Sequence, residues 1–398
     1  MCFQKLSDIL ERFKQVAKMN KQIIIISIFN GIVRMLKTSL FFFWGIYFAS
    51  IGLSGFEIGA FFSVNSFASI LTILPSGLSN DRFKSKSLIS IALTLASIFY
   101  FGMASTTSFP ILIILAALIG VSLKIYDSSS DSLFYRTAEK ENFNKHLAIF
   151  QSLNYVTISL GIMLTGYIIG ANIDYKSIFI SIAIIFLILA ILGFFILPKN
   201  DTTKFEIIHY KKDIFKKDVL LFLLVIGLFA IHFGVEGTSY GLFLKETLGL
   251  STLKTGLYMG LAILPMAISA IIISKKLKNW KAKNILLFGL LLSGFGHILM
   301  TIKIVELSFL FRTIHEIGDS AFFFFLYYGT SKIFSLDRIG GNTGIINFVS
   351  AIGGAVSSAF FGPIGENFGY DIPIAVSGGT TLLAALIVII FVKYFDHK

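Results

Sequence analysis

Of 398 residues, 55% are apolar and 14% are charged, against roughly 25% charged in a soluble chain, and mean hydropathy is +0.83. A water-soluble core cannot hide that much apolar side chain, which excludes a cytosolic enzyme, a disordered chain and a secreted scaffold; the single cysteine, Cys2, makes no internal disulfide. A formal charge of +12 would point to nucleic acid in a soluble protein, but here no such partner is expected and the basic residues are first to be placed relative to the bilayer.

The chain opens on a polar, basic stretch in which Phe3, Leu6, Ile9, Phe13 and Val16 recur at helical spacing, too polar for a cleavable signal. Two readings of residues 1–21 stay open, a short helix on the inner membrane surface and a solvated cap. Twelve apolar segments follow, at 22–49, 57–79, 87–107, 110–136, 147–170, 177–197, 219–246, 253–274, 284–302, 307–331, 342–365 and 372–393. Lipid admits helices of about 20 apolar residues or alternating strands of about 10, and unbroken runs such as 178–197 select helices. The expected fold class is therefore an all-α membrane protein of twelve transmembrane helices.

Between the spans, 26 of the 34 Lys and Arg fall on one side and four, Lys176, Lys245, Lys254 and Lys303, on the other. Cytoplasmic loops accumulate Lys and Arg, so both termini are expected in the cytoplasm of a plasma-membrane protein. The longest interior connection, 198–218, carries six lysines and divides the chain into bundles 22–197 and 219–393, with a tail at 394–398. Span 1 overlies span 7 and span 4 overlies span 10 at a common offset, as in a duplication; two such halves place a solute site at midplane. Pro75, Pro265 and Pro363 are expected as tolerated kinks, and most of the 43 Phe as lipid-facing bulk.

The four remaining cations lie inside spans, and a charge at the bilayer centre costs roughly 2.5–3.5 kcal/mol unless it faces a cavity or a partner. Near midplane are Arg34 and Lys37 on span 1, Lys124 and Asp127 on span 4, His232 and Glu236 on span 7, and Arg312, His315, Glu316 and Asp319 on span 10; Asp131 lies nearer the basic side. The other eight spans hold almost nothing ionisable at that depth, His297 being the main exception. Asn30, Arg34, Lys37 and Phe41 share one helical stripe, as do Gly120, Lys124, Asp127 and Asp131, and Arg312, Glu316, Asp319 and Phe323. With His neutral and Asp131 set aside, the first half contributes +2 and the second −2. Spacing also permits Lys124 with Asp127, and Arg312 with Glu316, as static pairs within one helix.

The loop after span 2 reads Gly77-Leu78-Ser79-Asn80-Asp81-Arg82-Phe83-Lys84-Ser85-Lys86. It resembles the G-x-x-x-D-R-x-G-x-K/R signature between helices 2 and 3 of the major facilitator superfamily, with Lys84 where the family has glycine. The resemblance implies two pseudo-symmetric six-helix bundles, helices 1, 4, 7 and 10 around a central cavity, and a gate on the basic side. Gly77, Asp81, Arg82 and Lys86, with Asp131, are its candidates. Asp81 would meet the positive end of span 11 around Gly341-Asn342-Thr343, worth about 0.3–1 kcal/mol. Span 5 has Gly161, Gly166 and Gly170 at packing spacing but lacks the proline of the family's antiporters, and span 4 lacks the arginine of many drug exporters.

The expected function is alternating-access transport of a small anionic or amphoteric organic solute by a monomer, coupled to protons. Arg34, Lys37 and Lys124 are the candidates for holding the anionic group, with Asp127, Arg312, Phe41 and Tyr240 completing the solute site. Glu236, Asp319 and Glu316 are the proton-coupling candidates, because a carboxylate removed from water keeps its charge only against a partner, and His232 and His315 share the proton or simply hydrogen-bond. An efflux antiporter of the same fold and a polytopic enzyme acting on lipid are the alternatives. No cofactor or metal is expected, since the chain has no C-x-x-C, H-E-x-x-H, G-x-S-x-G or G-x-x-x-x-G-K-[ST].

Overall fold

With no water in the bilayer core, each apolar run must satisfy its own backbone, and the computed structural model shows every run doing so as a helix. The structure describes residues 21–199, 216–276, 280–333 and 339–395, without the side chains of 74, 78, 81, 331–333, 339–342, 392 and 394. The amphipathic stretch at the N-terminus and most of the basic linker lie outside the described residues.

The helices are α1 (Lys21–Ser50), α2 (Gly55–Arg82), α3 (Ser85–Met103), α4 (Phe109–Thr137), α5 (Phe143–Gly170) and α6 (Tyr175–Ile196). After the linker come α7 (Lys217–Val235), α8 (Thr252–Lys276), α9 (Ala282–Leu299), α10 (Val305–Ile333), α11 (Ile339–Phe368) and α12 (Asp371–Ile390). Eleven of these are long and apolar enough to cross a membrane. The twelfth, α10, has 29 residues and a length of about 44 Å, ample for a core of about 30 Å, but is too polar to qualify on hydropathy. Pro75, Pro265 and Pro363 sit inside α2, α8 and α11.

Local chemistry sets several boundaries. Ser54 and Glu57 form a reciprocal capping box that starts α2, Pro110 occupies the first turn of α4, and Asp174 accepts the Ser177 N–H to start α6. α1 breaks at Leu40 and resumes at Phe41, and α7 runs on through two π turns, Glu236–Tyr240 and Phe243–Thr247. α1 and α7 then end alike, on a glycine at positive φ: Gly52 at 87° and Gly249 at 67°.

Packing repeats the same plan twice. In the first half α1 lies on α5, α2 on α4, α3 on α4 and α6; in the second α7 lies on α11, α8 on α10, α9 on α10 and α12. The halves meet mainly along two seams, α5 with α8 and α2 with α11. Both seams are lined by small residues that let backbones approach: Gly166 against Gly256, and Gly55 and Gly59 against Ser358 and Gly362. Serines stitch them across, Ser159 and Ser152 donating to the Gly260 and Ala267 carbonyls at 2.7 and 2.8 Å, and Ser63 to the Ala355 carbonyl at 2.9 Å.

The expectation that phenylalanine mostly faces lipid is corrected: the buried phenylalanines outnumber the exposed ones among the described residues. Trp44 stacks on Phe48 and Phe179 at 5.2 Å each, and Phe229 stacks on Phe322. Within a half, close approach is equally unforgiving. A Cβ on Gly120 of α4 would stand 2.3 Å from the Asn65 carbonyl oxygen of α2, whose side chain itself donates to the Ala116 carbonyl. Gly120→Ala is therefore expected to lower stability by about 1–3 kcal/mol, read as a fall in Tm in detergent; an unchanged Tm would mean that α2 and α4 separate at no cost.

Candidate functional site

Every ionisable residue expected at midplane on α7 and α10 is buried, and these residues form one cluster. Arg312, 1% exposed, reaches Glu236 with one guanidinium nitrogen and Glu316 with the other. The Tyr240 ring lies 4.5 Å from its Cζ and the Phe42 ring 5.7 Å, so cation–π contacts complete its surroundings. The first π turn of α7 begins at Glu236, and Gly241, just past that turn, allows the Phe42 carbonyl to within 2.1 Å of where a Cβ would be. α7 thereby seats directly on the second segment of α1.

One turn further along α10, His315 Nε2 lies 3.5 Å from both Glu236 Oε1 and Asp319 Oδ2, and His232 Nε2 lies 3.2 Å from Asp319 Oδ2. The opposite nitrogens face backbone carbonyls: His232 Nδ1 is 2.5 Å from the Phe229 oxygen and His315 Nδ1 is 2.9 Å from the Ser293 oxygen. A carbonyl only accepts, so both Nδ1 atoms carry hydrogen, and both Nε2 atoms turn toward Asp319. His297 of α9 completes the group with Nδ1 at 3.4 Å from His315 Nε2. Span 9 supplied the one ionisable residue off the expected helices, and the fold brings it to the same place.

The first half presents a different arrangement. Lys37 Nζ holds both Asp127 oxygens at 2.6 Å, so the pair spans α1 and α4, and the intrahelical pairing of Lys124 with Asp127 does not form. Lys124, 9% exposed, has no hydrogen bond or ion pair among the described residues, and the Arg34 Nε is buried without a partner. Asp131 belongs to the same neighbourhood as Arg34 and Lys124, so this wall has three cations against two carboxylates rather than the excess expected with Asp131 set aside. Behind it Asn30 gathers α1, α4 and α5, accepting from Tyr126 and Ser130 at 2.8 and 2.9 Å and donating to Asn154 at 3.0 Å.

The two groups come near one another: Tyr155 of α5 is within electrostatic reach of Arg34 and also of Asp319 and Glu316. Contacts bridge the halves above and below. Toward the basic side, the Tyr327 hydroxyl of α10 donates to Asp131 at 2.9 Å and its ring stacks on Tyr135. Toward the opposite side, Glu366 of α11 accepts the Gly55 N–H of α2 at 2.8 Å beside a cleft of about 300 Å³ lined by Ser54, Thr238 and Tyr370.

Tyr240 is fully buried against Arg312, and Phe41 packs on Phe62 and Phe42 at the edge of the walls. In the loop motif, Gly77 is buried, Arg82 is exposed, and Lys86 donates to the Phe194 carbonyl of α6 at 2.8 Å, within its own half. The Asp81 side chain and the Gly341–Asn342 end of the expected latch lie outside the described residues. What sequence reasoning did not bring out is the closeness of His232, His315 and Asp319 to one another; only their shared depth on α7 and α10 hinted at it.

Two six-helix halves that repeat one packing plan, with charge buried among their helices, define a membrane carrier as a class. The chain belongs to the Major Facilitator Superfamily, whose sequence profile matches residues 23–302. Solved structures share the fold across nearly the whole chain. A point mutant of the nucleoside transporter NupG matches with TM-score 0.73 and 13% identity, covering 93% of this chain and 100% of that one. The human organic anion transporter MFSD10 (TETRAN) matches with TM-score 0.68 and 16% identity over 92% and 99%. The proton:xylose symporter XylE bound to 6-bromo-6-deoxy-D-glucose matches with TM-score 0.69 and 16% identity over 93% and 95%. At these identities the likeness is one of fold. No curated protein matches this chain.

Proposed function

We propose that this multi-pass membrane protein is a secondary transporter that moves a small anionic or amphoteric organic solute by alternating access in the plasma membrane, with both termini cytoplasmic. The observation that carries the reading is Lys124: a buried cation with neither an ion pair nor a hydrogen bond among the described residues, beside Arg34, whose Nε is buried without a partner. An unpaired ion in a low-dielectric site costs several kcal/mol, so the site is built for an anionic group that arrives from outside. Lys37 orients Asp127, which is left to meet a cationic group of an amphoteric solute. Phe41 supplies an apolar edge.

The facing wall takes the coupling ion. Arg312 shared between Glu236 and Glu316, together with Asp319, leaves an excess of buried negative charge when the histidines are neutral, and a proton on this wall lessens its attraction for the cationic one. Asp131 with Tyr327, and the motif residues Asp81 and Arg82, act at the basic side as the gate. Only a ligand that distinguishes the open from the closed arrangement shifts that equilibrium, and neutralising one of two opposed walls does so.

Flux into proteoliposomes, with and without an imposed pH gradient and over amino-acid-like, organic-acid and cationic solutes, tests the reading. Lys124→Gln is expected to abolish saturable uptake of the anionic solute while the protein stays monodisperse. Glu236→Gln and Asp319→Asn are expected to remove the response to the gradient. Unaltered gradient-driven uptake in both carboxylate variants would reject the coupling role, and turnover of a lipid substrate without any solute flux would favour an enzyme.

A further inference from the structure

The carboxylate wall has a second chemistry that solute transport does not require. His232 Nε2, His315 Nε2 and Asp319 Oδ2 converge so that all three ligand atoms lie within 4.8 Å of one another, each residue being at least 95% buried. Two of the separations are 3.2 and 3.5 Å. Ligands held at about 2.0–2.2 Å from one tetrahedral ion stand about 3.4 Å apart, so both separations to Asp319 already match a coordination shell, and the two imidazoles lie within 4.8 Å of each other.

The second observation concerns what the atoms lack. His232 Nε2 and Asp319 Oδ1 are buried without any aligned hydrogen bond, although His232 Nε2 and Asp319 Oδ2 are close neighbours. Both imidazoles spend their Nδ1 hydrogen on a backbone carbonyl, Phe229 for one and Ser293 for the other. That outer contact is the one a metal-bound histidine makes, because it fixes the tautomer and turns the Nε2 lone pair inward. With both imidazoles neutral, two lone pairs and a carboxylate point at a common centre, an arrangement that a proton or a metal cation between them relieves. Glu236 and His297 lie 3.5 and 3.4 Å from His315 Nε2, and with His315 they form a second group of converging ligand atoms.

We propose that His232, His315 and Asp319 form a binding site for a divalent first-row transition-metal ion. Two imidazoles and one carboxylate suit zinc, iron, cobalt or nickel, and offer too few oxygens for calcium or magnesium. One such ion matches the excess negative charge of the wall formed by Arg312, Glu236, Glu316 and Asp319. The inference stands apart from the identity of the organic solute.

Co²⁺ and Zn²⁺ titrations of the purified full chain in detergent test it. One Co²⁺ per chain is expected, with the intense visible band of a tetrahedral site, displaced by Zn²⁺ and unaffected by millimolar Mg²⁺ or Ca²⁺. H232Q, H315Q and D319N are each expected to weaken binding by more than the roughly 10–100-fold that loss of an outer-shell partner costs, while H146Q, on α5, binds as the unsubstituted chain does. X-ray absorption on Zn²⁺-loaded unsubstituted protein needs no variant to fold; it is expected to show imidazole nitrogens at about 2.0–2.1 Å and no sulfur at about 2.3 Å. A sulfur-containing shell, binding that survives all three substitutions, or loss in H297Q with full binding in H232Q would overturn the assignment. Gradient-driven solute flux without stoichiometric metal binding would overturn it too and leave the transport reading intact; metal binding without organic-solute flux would do the reverse.

Discussion

Arg312→Gln is expected to be the most damaging single substitution in the chain, lowering stability by about 3–5 kcal/mol and leaving little monodisperse protein in detergent. The arginine is 1% exposed and is the positive partner of both Glu236 and Glu316, which are 6% and 4% exposed. Glutamine fills part of the space but removes the charge, so two buried carboxylates are left without their cation. Breaking a buried pair from one side costs far more than replacing the whole group, because the stranded ion keeps its full desolvation penalty. The combined variant Arg312→Met, Glu236→Gln, Glu316→Gln is accordingly expected to recover most of the lost stability, since the arginine and both carboxylates it compensates are then removed together. It is not expected to recover transport. Thermal unfolding of the three proteins decides the matter: if Arg312→Gln melts with the unsubstituted chain, the guanidinium is not what compensates those carboxylates.

The second large effect is expected at the seam between the halves. Gly166 and Gly256 approach so closely that a Cβ on either would stand 2.7 Å from the other's Cα. Gly256→Leu therefore props α5 away from α8, and because the three atoms nearest its Cβ all belong to α5, the strain falls first on the seam between the halves. Flux is expected to fall to the level of empty liposomes while Tm drops only by the few degrees that a local clash of about 1–3 kcal/mol produces. Gly379→Leu is the control: nothing lies within 4 Å of a Cβ there, and its flux is expected to be unchanged. Normal flux in Gly256→Leu would show that this seam need not close during transport.

The spans were legible because hydropathy over about 20 residues is a property of the local chain alone. Even α10, too polar to qualify by itself, was marked by the short connections on either side of it. The restriction of buried charge to α1, α4, α7 and α10 was equally plain, since a charge in hydrocarbon is costly wherever it occurs. Pairing was another matter. Lys124 and Asp127 are three residues apart and were candidates for one another, yet Asp127 goes to Lys37, 90 residues earlier, because α1 and α4 come together at that level. His297 read as an outlier on the wrong helix until α9 packed on α10. The placing of phenylalanine was misjudged for a different reason: lipid tails are as apolar as a protein interior, so hydropathy that separates inside from outside in water has no such power in a bilayer.

By itself, then, the amino-acid order determined which segments form the membrane-length helices and on which of those helices the charged residues are gathered. These follow from each segment's own free energy of transfer into lipid. Which ions meet was decided only by the tertiary structure, through the glycine seams that set how near two helices come and the carbonyls of Phe229 and Ser293 that turn two imidazoles toward Asp319. Coulomb and ligand interactions depend on distances of a few ångströms between residues far apart in the chain, and no local rule supplies those distances.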